Sequence, residues 1–155
     1  MIIKLPKMSE QEIKKILCDQ ILCRIAFKGA EYPYIAPFQY VYMNGALYFH
    51  FTDYGRKMKM LKKDNQVCVE IEQLSPNLSE YYFVSLRGRL EVVEDSVERN
   101  AVIRRMAEDG KQRLSTNFLG AHGLKSDEGW SSLTPEKPLV ILKLDVVEEI
   151  GLKSP

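Results

Sequence analysis

Two adjacent cations, Arg56 and Lys57, follow a short apolar strand and a glycine-containing turn. The pattern places them in the first turn of a helix that continues with Met58 and Leu61 on one side. The helix dipole disfavours cations at this end by roughly 0.3–1 kcal/mol. An anion held by both side chains and by free backbone amides would reverse that cost, and the Thr52 hydroxyl could add a hydrogen bond. The spacing therefore indicates a phosphate site, with a solvated basic helix as the simpler alternative.

The strand before this turn carries one of the two histidines of the chain. It follows Asn44-Gly45, a strong two-residue hairpin signal. Alternation puts His50 on the face opposite Phe49 and Phe51. A half-buried strand histidine is the simpler interpretation, and contact with a ligand or proton donation to a substrate is the functional one. The other histidine, His122, lies in a long aperiodic stretch and is expected to be exposed.

The remaining periodicity predicts about six strands and two or three helices, without regular alternation of strand and helix. This order favours an antiparallel barrel with added helices over a doubly wound sheet. Besides the helix that follows Gly55, helices are predicted over Ser9–Leu22 and over Ser96–Glu108, where Asp109-Gly110 ends the second. The other predicted strands are Cys23–Phe27, Tyr32–Met43, Val67–Glu72, Tyr81–Val93 and Pro138–Ile150.

Three positions depart from regular strand or helix patterns. Pro37 removes a ladder donor from its strand, so we expect broken pairing or a β-bulge there. Gly88 is expected to allow a sharp bend, and Arg87 and Arg89 beside it share a face that is either solvated or functional. The stretch 111–137 has no clear period and contains Trp130, the only tryptophan. A stretch of this length is usually functional or disordered, and its aromatic residues favour partial order.

The composition excludes several classes of protein. At 155 residues the chain suits a single domain, 1–155. Its 22 basic and 21 acidic residues leave a net charge of +1, which argues against a nucleic-acid binder. No apolar run approaches a membrane span and the start does not resemble a signal peptide, so we expect a cytoplasmic protein without membrane contact. Cys18, Cys23 and Cys68 lack metal-type spacing and are expected to be buried free thiols, with no metal site.

The phosphate turn resembles a known cofactor-binding segment. Phe51–Lys57 is similar to the FMN-phosphate segment of the pyridoxamine 5′-phosphate oxidase superfamily, and Tyr48–His50 with Gly55–Lys57 resembles its nitroimidazole reductase-like branch. The resemblance implies a mainly β (α+β) fold: a six-stranded antiparallel split β-barrel with flanking helices. It also implies FMN at a homodimer interface and flavin redox chemistry. Some members of the superfamily bind F420 or haem, so these cofactors remain alternatives.

The resemblance also implies roles for individual residues. Arg56 and Lys57 would hold the FMN phosphate, Thr52 would bond the phosphate or the ribityl chain, and Trp130 would act as a lid over the ring. No catalytic residue is assigned, although His50 is a candidate proton donor. Arg87 and Arg89 would lie near the flavin at the dimer interface. The implied cofactor-binding set is Pro37, Phe38, His50, Phe51, Thr52, Arg56, Lys57 and Trp130.

The expected function is an FMN-dependent oxidoreductase. Electrons from NAD(P)H would reduce a small-molecule acceptor, for which a nitro compound is a candidate. Since the chain has no GxGxxG and no Walker sequence, a dinucleotide would come as a diffusing substrate. The alternatives are a non-catalytic flavin-binding sensor or carrier and pyridoxamine phosphate oxidase-type oxidation. The last of these requires a second basic cluster that the sequence does not locate.

Overall fold

Six antiparallel strands form a closed barrel in the computed structural model, which describes residues 1–155. The strands are β1 (Leu22–Phe27), β2 (Tyr34–Met43), β3 (Ala46–Phe51), β4 (Gln66–Leu74), β5 (Tyr81–Val92) and β6 (Val140–Lys153). Around the barrel they follow the order β1-β2-β3-β6-β5-β4, and β4 pairs back with β1. The expected six-stranded barrel with flanking helices is confirmed, including the hairpin at Asn44-Gly45 between β2 and β3.

Three α-helices flank the barrel: α1 (Glu10–Asp19), α2 (Arg56–Lys63) and α3 (Ser96–Arg113). The Ser9 side chain caps α1 in a complete capping box with Glu12, as its sequence predicts. Three short 3₁₀ helices fill the region between α3 and β6, at Thr116–His122, Ser126–Glu128 and Trp130–Ser132. No helix is both long and apolar enough to cross a membrane.

The prediction that Asp109-Gly110 ends α3 is wrong. The helix continues to Arg113, and Gly110 is buried within it against the indole of Trp130. A Cβ at Gly110 would lie 2.4 Å from two ring carbons of Trp130. The glycine thus serves close packing between α3 and the segment that follows it, rather than helix termination.

Pro37 lies where one edge of β2 is unpaired, as expected, but it does not produce a β-bulge. It stands opposite Arg24 in a β1–β2 ladder that runs from Leu22↔Gln39 to Phe27↔Tyr34 without a register shift. The physical reason lies on the other edge of β2, where β3 pairs only with residues from Tyr40 onward. From Tyr34 to Gln39 that edge has no strand partner, so a residue without an N–H group is tolerated there.

At Gly88, where a bend is expected, the structure has an irregularity in strand pairing. The β5–β6 register shifts between Arg87 and Gly88, and a Cβ on Gly88 would lie 2.1 Å from the carbonyl oxygen of Asp145. Arg87 and Arg89 are both exposed, on the face that alternation predicts. Here the glycine permits close approach of two strands at an irregular point in the barrel.

Two hydrophobic cores share the wall formed by β2 and β3. The barrel interior contains Phe38, Phe49 and Phe51, whereas the outer face contributes Tyr48 and His50 to a second layer beneath α3. The outer core comprises Val41, Tyr48, Val93, Val102, Ile103, Met106, Leu119, Trp130, Leu133 and Ile141. Of the thiols, Cys23 is buried but Cys18 and Cys68 are exposed, so the prediction of burial is wrong for those two.

Candidate functional site

The corner between β3 and α2 leaves the first turn of a helix without a side-chain cap. Gly55 is the N-cap residue, with φ of 95°, and no side chain accepts a hydrogen bond from the amides that follow it. The left-handed φ favours glycine. No acidic residue lies in the first turn, which begins with Arg56 and Lys57. These donors and charges together match the requirements of an anion site.

Aromatic rings lie beside both cations. The Arg56 guanidinium carbon is 5.6 Å from the centre of the Tyr34 ring, and the Lys57 ammonium is 4.9 Å from that of Phe38. Phe38 in turn stacks on Phe51 at 4.8 Å. Neither cation forms a salt bridge with a carboxylate, since the nine salt bridges in the chain involve other residues. The corner therefore has positive charge available for a ligand.

The other predicted contacts near this corner differ in accessibility. Pro37 is exposed on β2, whereas Phe38 and Phe51 point into the barrel and are 8% and 2% exposed. Thr52 is half-buried, and its hydroxyl donates to the Tyr54 carbonyl oxygen at 2.9 Å within the turn. Thus Pro37 and Thr52 retain surface that a ligand could contact, and the two phenylalanines mainly support the wall behind them.

A cavity of about 760 Å³ adjoins the corner. Tyr34, Arg56, Lys59 and Lys63 line it together with the β1–β2 loop. A second cavity of about 710 Å³ lies across that loop and is lined in part by Arg87 and Arg89. Arg87 is already paired with Glu148, so the second cavity is less strongly cationic than the first.

His50 belongs to a buried chain of polar groups on the outer face of the barrel. Its Nδ1 lies 3.0 Å from Nδ1 of His122, whose Nε2 lies 2.7 Å from Oε1 of Gln39. The Gln39 amide donates to the Met106 carbonyl oxygen at 2.9 Å. His122 is only 6% exposed, so the expectation of an exposed loop histidine is wrong. The chain thereby joins β2, β3, α3 and the first 3₁₀ helix.

Burial keeps both imidazoles neutral near pH 7. Burial, with a smaller contribution from the charge of Arg99, lowers the pKa of His50 to about 4. Burial also lowers the pKa of His122 to about 4, with a smaller contribution from His50. Because charging either ring would place a cation in a desolvated layer, the pair is held together by hydrogen bonding between neutral groups.

Trp130 packs within its own chain. It is 4% exposed, its Nε1 donates to the Leu114 carbonyl oxygen at 3.2 Å, and its ring lies edge-on to His122 at 5.8 Å. These contacts place it between α3 and the histidine pair. A lid role over a cofactor remains a prediction.

Sequence reasoning missed Gln39 and His122 as members of a site. Gln39 is a polar residue at an outward position between apolar neighbours on β2, and that interruption was a usable signal. His122 lies in a 3₁₀ helix, where neither a period of 2.0 nor one of 3.6 indicates burial. No group of three or more histidine, cysteine, aspartate or glutamate side chains is arranged to hold a metal ion.

The closed six-stranded antiparallel barrel with flanking helices has the architecture of the split-barrel proteins. The chain belongs to the pyridoxamine 5′-phosphate oxidase family, since the family model described as "Pyridoxamine 5'-phosphate oxidase" matches residues 9–129. The resemblance to the superfamily is thereby confirmed. No curated protein sequence matches the chain.

Solved structures share the fold at low sequence identity. An FAD-binding protein from Mesorhizobium loti is 16% identical with a TM-score of 0.73, covering 99% of this chain and 100% of its own. A candidate 5-nitroimidazole antibiotic resistance protein from Bacteroides thetaiotaomicron is 22% identical with a TM-score of 0.62, over 97% and 87%. A heme storage protein from Vibrio cholerae is 16% identical with a TM-score of 0.65, over 93% and 94%.

Proposed function

We propose that the chain is an FMN-dependent oxidoreductase that reduces a small acceptor with electrons from a nicotinamide. Membership of the pyridoxamine 5′-phosphate oxidase family supports a flavin or a related cofactor, and the structural neighbours include an FAD-binding protein. The likeness to a candidate 5-nitroimidazole resistance protein supports a nitro compound as one acceptor to test. The heme storage neighbour makes haem the competing cofactor.

The observation that carries this proposal is the corner at Gly55. Arg56 and Lys57 stand at the end of α2 where the dipole disfavours them, without a carboxylate partner. A phosphate monoester in that position accepts from backbone amides and from both cations at once. The arrangement therefore suits FMN, whose single phosphate needs one such corner.

The unpaired edge of β2 supports the placement of the ring. Between Tyr34 and Gln39 this edge has no strand partner on the β3 side, and Pro37 is exposed within it. Backbone donors and acceptors on such an edge can pair with polar atoms on the rim of a planar heterocycle. When bound, the flavin would supply hydride acceptance and donation. The residues of this chain would hold its phosphate, orient its ring and limit water access.

A homodimer with the flavin at its interface belongs to the same proposal. Exposed apolar side chains on β6 give it support, because Val146, Val147 and Ile150 are 41%, 66% and 44% exposed. A set of exposed apolar residues on one strand is typical of a contact surface. Light scattering coupled to size exclusion would give twice the 17.9 kDa chain mass if the proposal holds.

A titration with FMN tests the phosphate corner. Quenching of flavin fluorescence by the wild-type chain would report binding, and Arg56→Ala with Lys57→Ala should weaken it strongly. Each charge-assisted contact is worth roughly 1.5–3 kcal/mol, which is about 10- to 150-fold in affinity. Riboflavin, which lacks the phosphate, should bind weakly to every variant.

A matched variant separates local contact from overall charge. Lys14→Ala with Lys62→Ala removes the same two charges from exposed positions outside the first turn of α2. It should bind FMN like the wild type. Equal losses in both double variants, or no loss in either, would contradict a phosphate site at Arg56 and Lys57.

Turnover distinguishes the proposed enzyme from a flavin-binding protein without catalysis. Bleaching of the bound flavin band near neutral pH by NADH or NADPH, followed by recovery on addition of a nitro compound, would support catalysis. FMN binding without reduction would favour a flavin-binding sensor or carrier. A haem-type absorption spectrum would identify haem, instead of FMN, as the bound cofactor. Pyridoxamine phosphate oxidation requires a second basic cluster, and it has less support because in the second cavity Arg87 is paired with Glu148, which leaves Arg89 as its cation without a salt bridge.

A further inference from the structure

The buried polar chain from Met106 to His50 has a defined direction. The Met106 carbonyl can only accept, so the nearby atom of Gln39 must be the amide nitrogen, at 2.9 Å. The other end of that amide is then its oxygen, 2.7 Å from Nε2 of His122. An oxygen can only accept, so His122 Nε2 carries a proton.

The protonation of His122 in turn determines that of His50. A neutral imidazole with a proton on Nε2 has a lone pair on Nδ1, and the doubly protonated form is disfavoured by burial. His122 Nδ1 therefore accepts across the 3.0 Å contact, and His50 Nδ1 must donate. His50 is left as the Nδ1–H tautomer with its lone pair on Nε2.

That nitrogen remains open to a ligand. His50 Nε2 makes no hydrogen bond within the chain. Among the side-chain nitrogen and oxygen atoms that are fully buried, only Glu70 Oε1 lacks a partner, so His50 Nε2 is not one of the fully buried atoms. The Nε2 atom therefore keeps contact with solvent, although His50 as a whole is only 7% exposed. An unpaired acceptor at the edge of a desolvated layer is a site for a donor group.

The open nitrogen lies near the proposed phosphate corner. His50 and Thr52 are two residues apart, a separation of at most roughly 7 Å along the chain. Thr52 also packs near the segment that contains His122, since a Cβ at Gly123 would lie 4.0 Å from the methyl carbon of Thr52. The segment that contains His122 thus lies against the turn that leads from β3 into α2.

We propose that Gln39 and His122 are positioning residues that hold His50 with its Nε2 lone pair facing a bound ligand. The ligand offers an N–H or O–H donor there, as a ring nitrogen or a ribityl hydroxyl of a flavin does. His50 accordingly accepts a hydrogen bond or a proton and does not donate one at neutral pH. The identity of the ligand rests on the proposed function, whereas the tautomer assignment stands independently.

Arg99 is the charged group whose field reaches His50 from α3. Its guanidinium donates to the carbonyl oxygens of Leu139, Pro135 and Lys137, which fixes it at the start of β6. On the 3₁₀ side the titratable neighbour of His50 is His122, and across β6 its register partner is the apolar Ile141. This field favours the neutral form of His50, as an acceptor at Nε2 requires.

Long-range ¹H–¹⁵N correlation spectra of the histidine-labelled, ligand-free protein at pH 7.5 test the tautomers. With only two histidines, His50→Gln assigns the signals. We expect Nδ1–H for His50 and Nε2–H for His122. In Gln39→Leu, which removes the acceptor, both rings should become tautomer mixtures, and Gln39→Glu, which retains an acceptor, should restore single tautomers. An Nε2–H tautomer for His50 in the wild type would overturn the assignment even if a variant failed to fold.

Titration of the same labelled protein with FMN tests the ligand. A large shift of the His50 Nε2 signal, with a roughly tenfold weaker FMN affinity in Gln39→Leu, supports the proposal. FMN binding by fluorescence without a shift at Nε2 would overturn the ligand contact alone. Absence of FMN binding would overturn the proposed function and leave the tautomer result in place.

Discussion

The two faces of β3 bury side chains equally well but by different means. On the inner face, Phe49 and Phe51 pack among other apolar rings in the barrel. On the outer face, Tyr48 and His50 are also nearly inaccessible, yet each requires a polar partner. The inner layer depends on shape and volume alone, whereas the outer layer depends on direction as well. The outer face therefore carries hydrogen-bonding side chains, which the inner face of β3 lacks.

The inner face should show the largest effect of a single substitution. Phe49 is fully buried, so Phe49→Ala should lower the free energy of unfolding by about 3–5 kcal/mol through lost burial and a residual cavity. Urea denaturation measures the change. Phe49→Leu keeps most of the volume and should cost much less. Equal costs for the two variants would show that packing volume is not what stabilises this layer.

The barrel could be predicted from sequence because its signals are local. Asn44-Gly45 marks a hairpin, the alternation from Leu47 to Phe51 marks a half-buried strand, and Gly88 marks a bend. Each of these sequence signals indicates a local backbone geometry that only certain residue types adopt. The basic start of α2 at Arg56 was likewise visible in the sequence, and its charge is unfavourable there unless an anion binds.

The outer layer could not be predicted in the same way. Gln39 and His122 are 83 residues apart, and their contact depends on the tertiary placement of α3 and the 3₁₀ helices. The predicted end of α3 at Gly110 was wrong because this glycine packs against Trp130, a tertiary contact that the local sequence does not indicate. Pro37 indicated the unpaired edge of β2, but the sequence could not tell this from a bulge, because the edge is set by where β3 diverges.

Acid should weaken the outer layer before it affects the inner one. His50 and His122 have pKa values of about 4 in the folded protein, against about 6.5 when unfolded. The unfolded chain therefore binds more protons between these values, so stability falls as the pH drops below about 6.5. The loss should reach about 2 kcal/mol for the two together between pH 6 and pH 5, measured by urea denaturation at each pH.

A double variant isolates this acid effect. His50→Gln with His122→Gln removes both titrating rings, so its stability should change little between pH 6 and pH 5. Glu12 and Asp64, whose pKa values are lowered by Lys153 and by the Gln66 amide respectively, lose their stabilising effect only at lower pH. An unchanged acid slope in the double variant would assign the effect to other groups.

Packing of α3 against Trp130 gives the next smaller effect. Gly110→Ala gains helix propensity but forces a methyl group to within 2.4 Å of the indole, so we expect a net loss of about 1–2 kcal/mol. Gly120→Ala is the matched control, because a Cβ there meets nothing within 4 Å. Its stability should stay within about 0.5 kcal/mol of the wild type. Similar losses of unfolding free energy in the two variants would show that the close contact between Gly110 and the indole does not cause the effect.

The smallest effect concerns the polar partner of Tyr48. Its hydroxyl donates to Glu98 at 2.6 Å, and this carboxylate also meets Lys143 at 3.4 Å. In Tyr48→Phe the ring stays in place and Glu98 keeps its second partner and solvent, so the cost should be about 1 kcal/mol. The loss should persist at high salt, because the hydroxyl is not an ion, whereas Lys143→Met should cost less and only at low salt. A salt-sensitive loss in Tyr48→Phe would show that the outer face is held by its surface charges and not by directed hydrogen bonds beneath them.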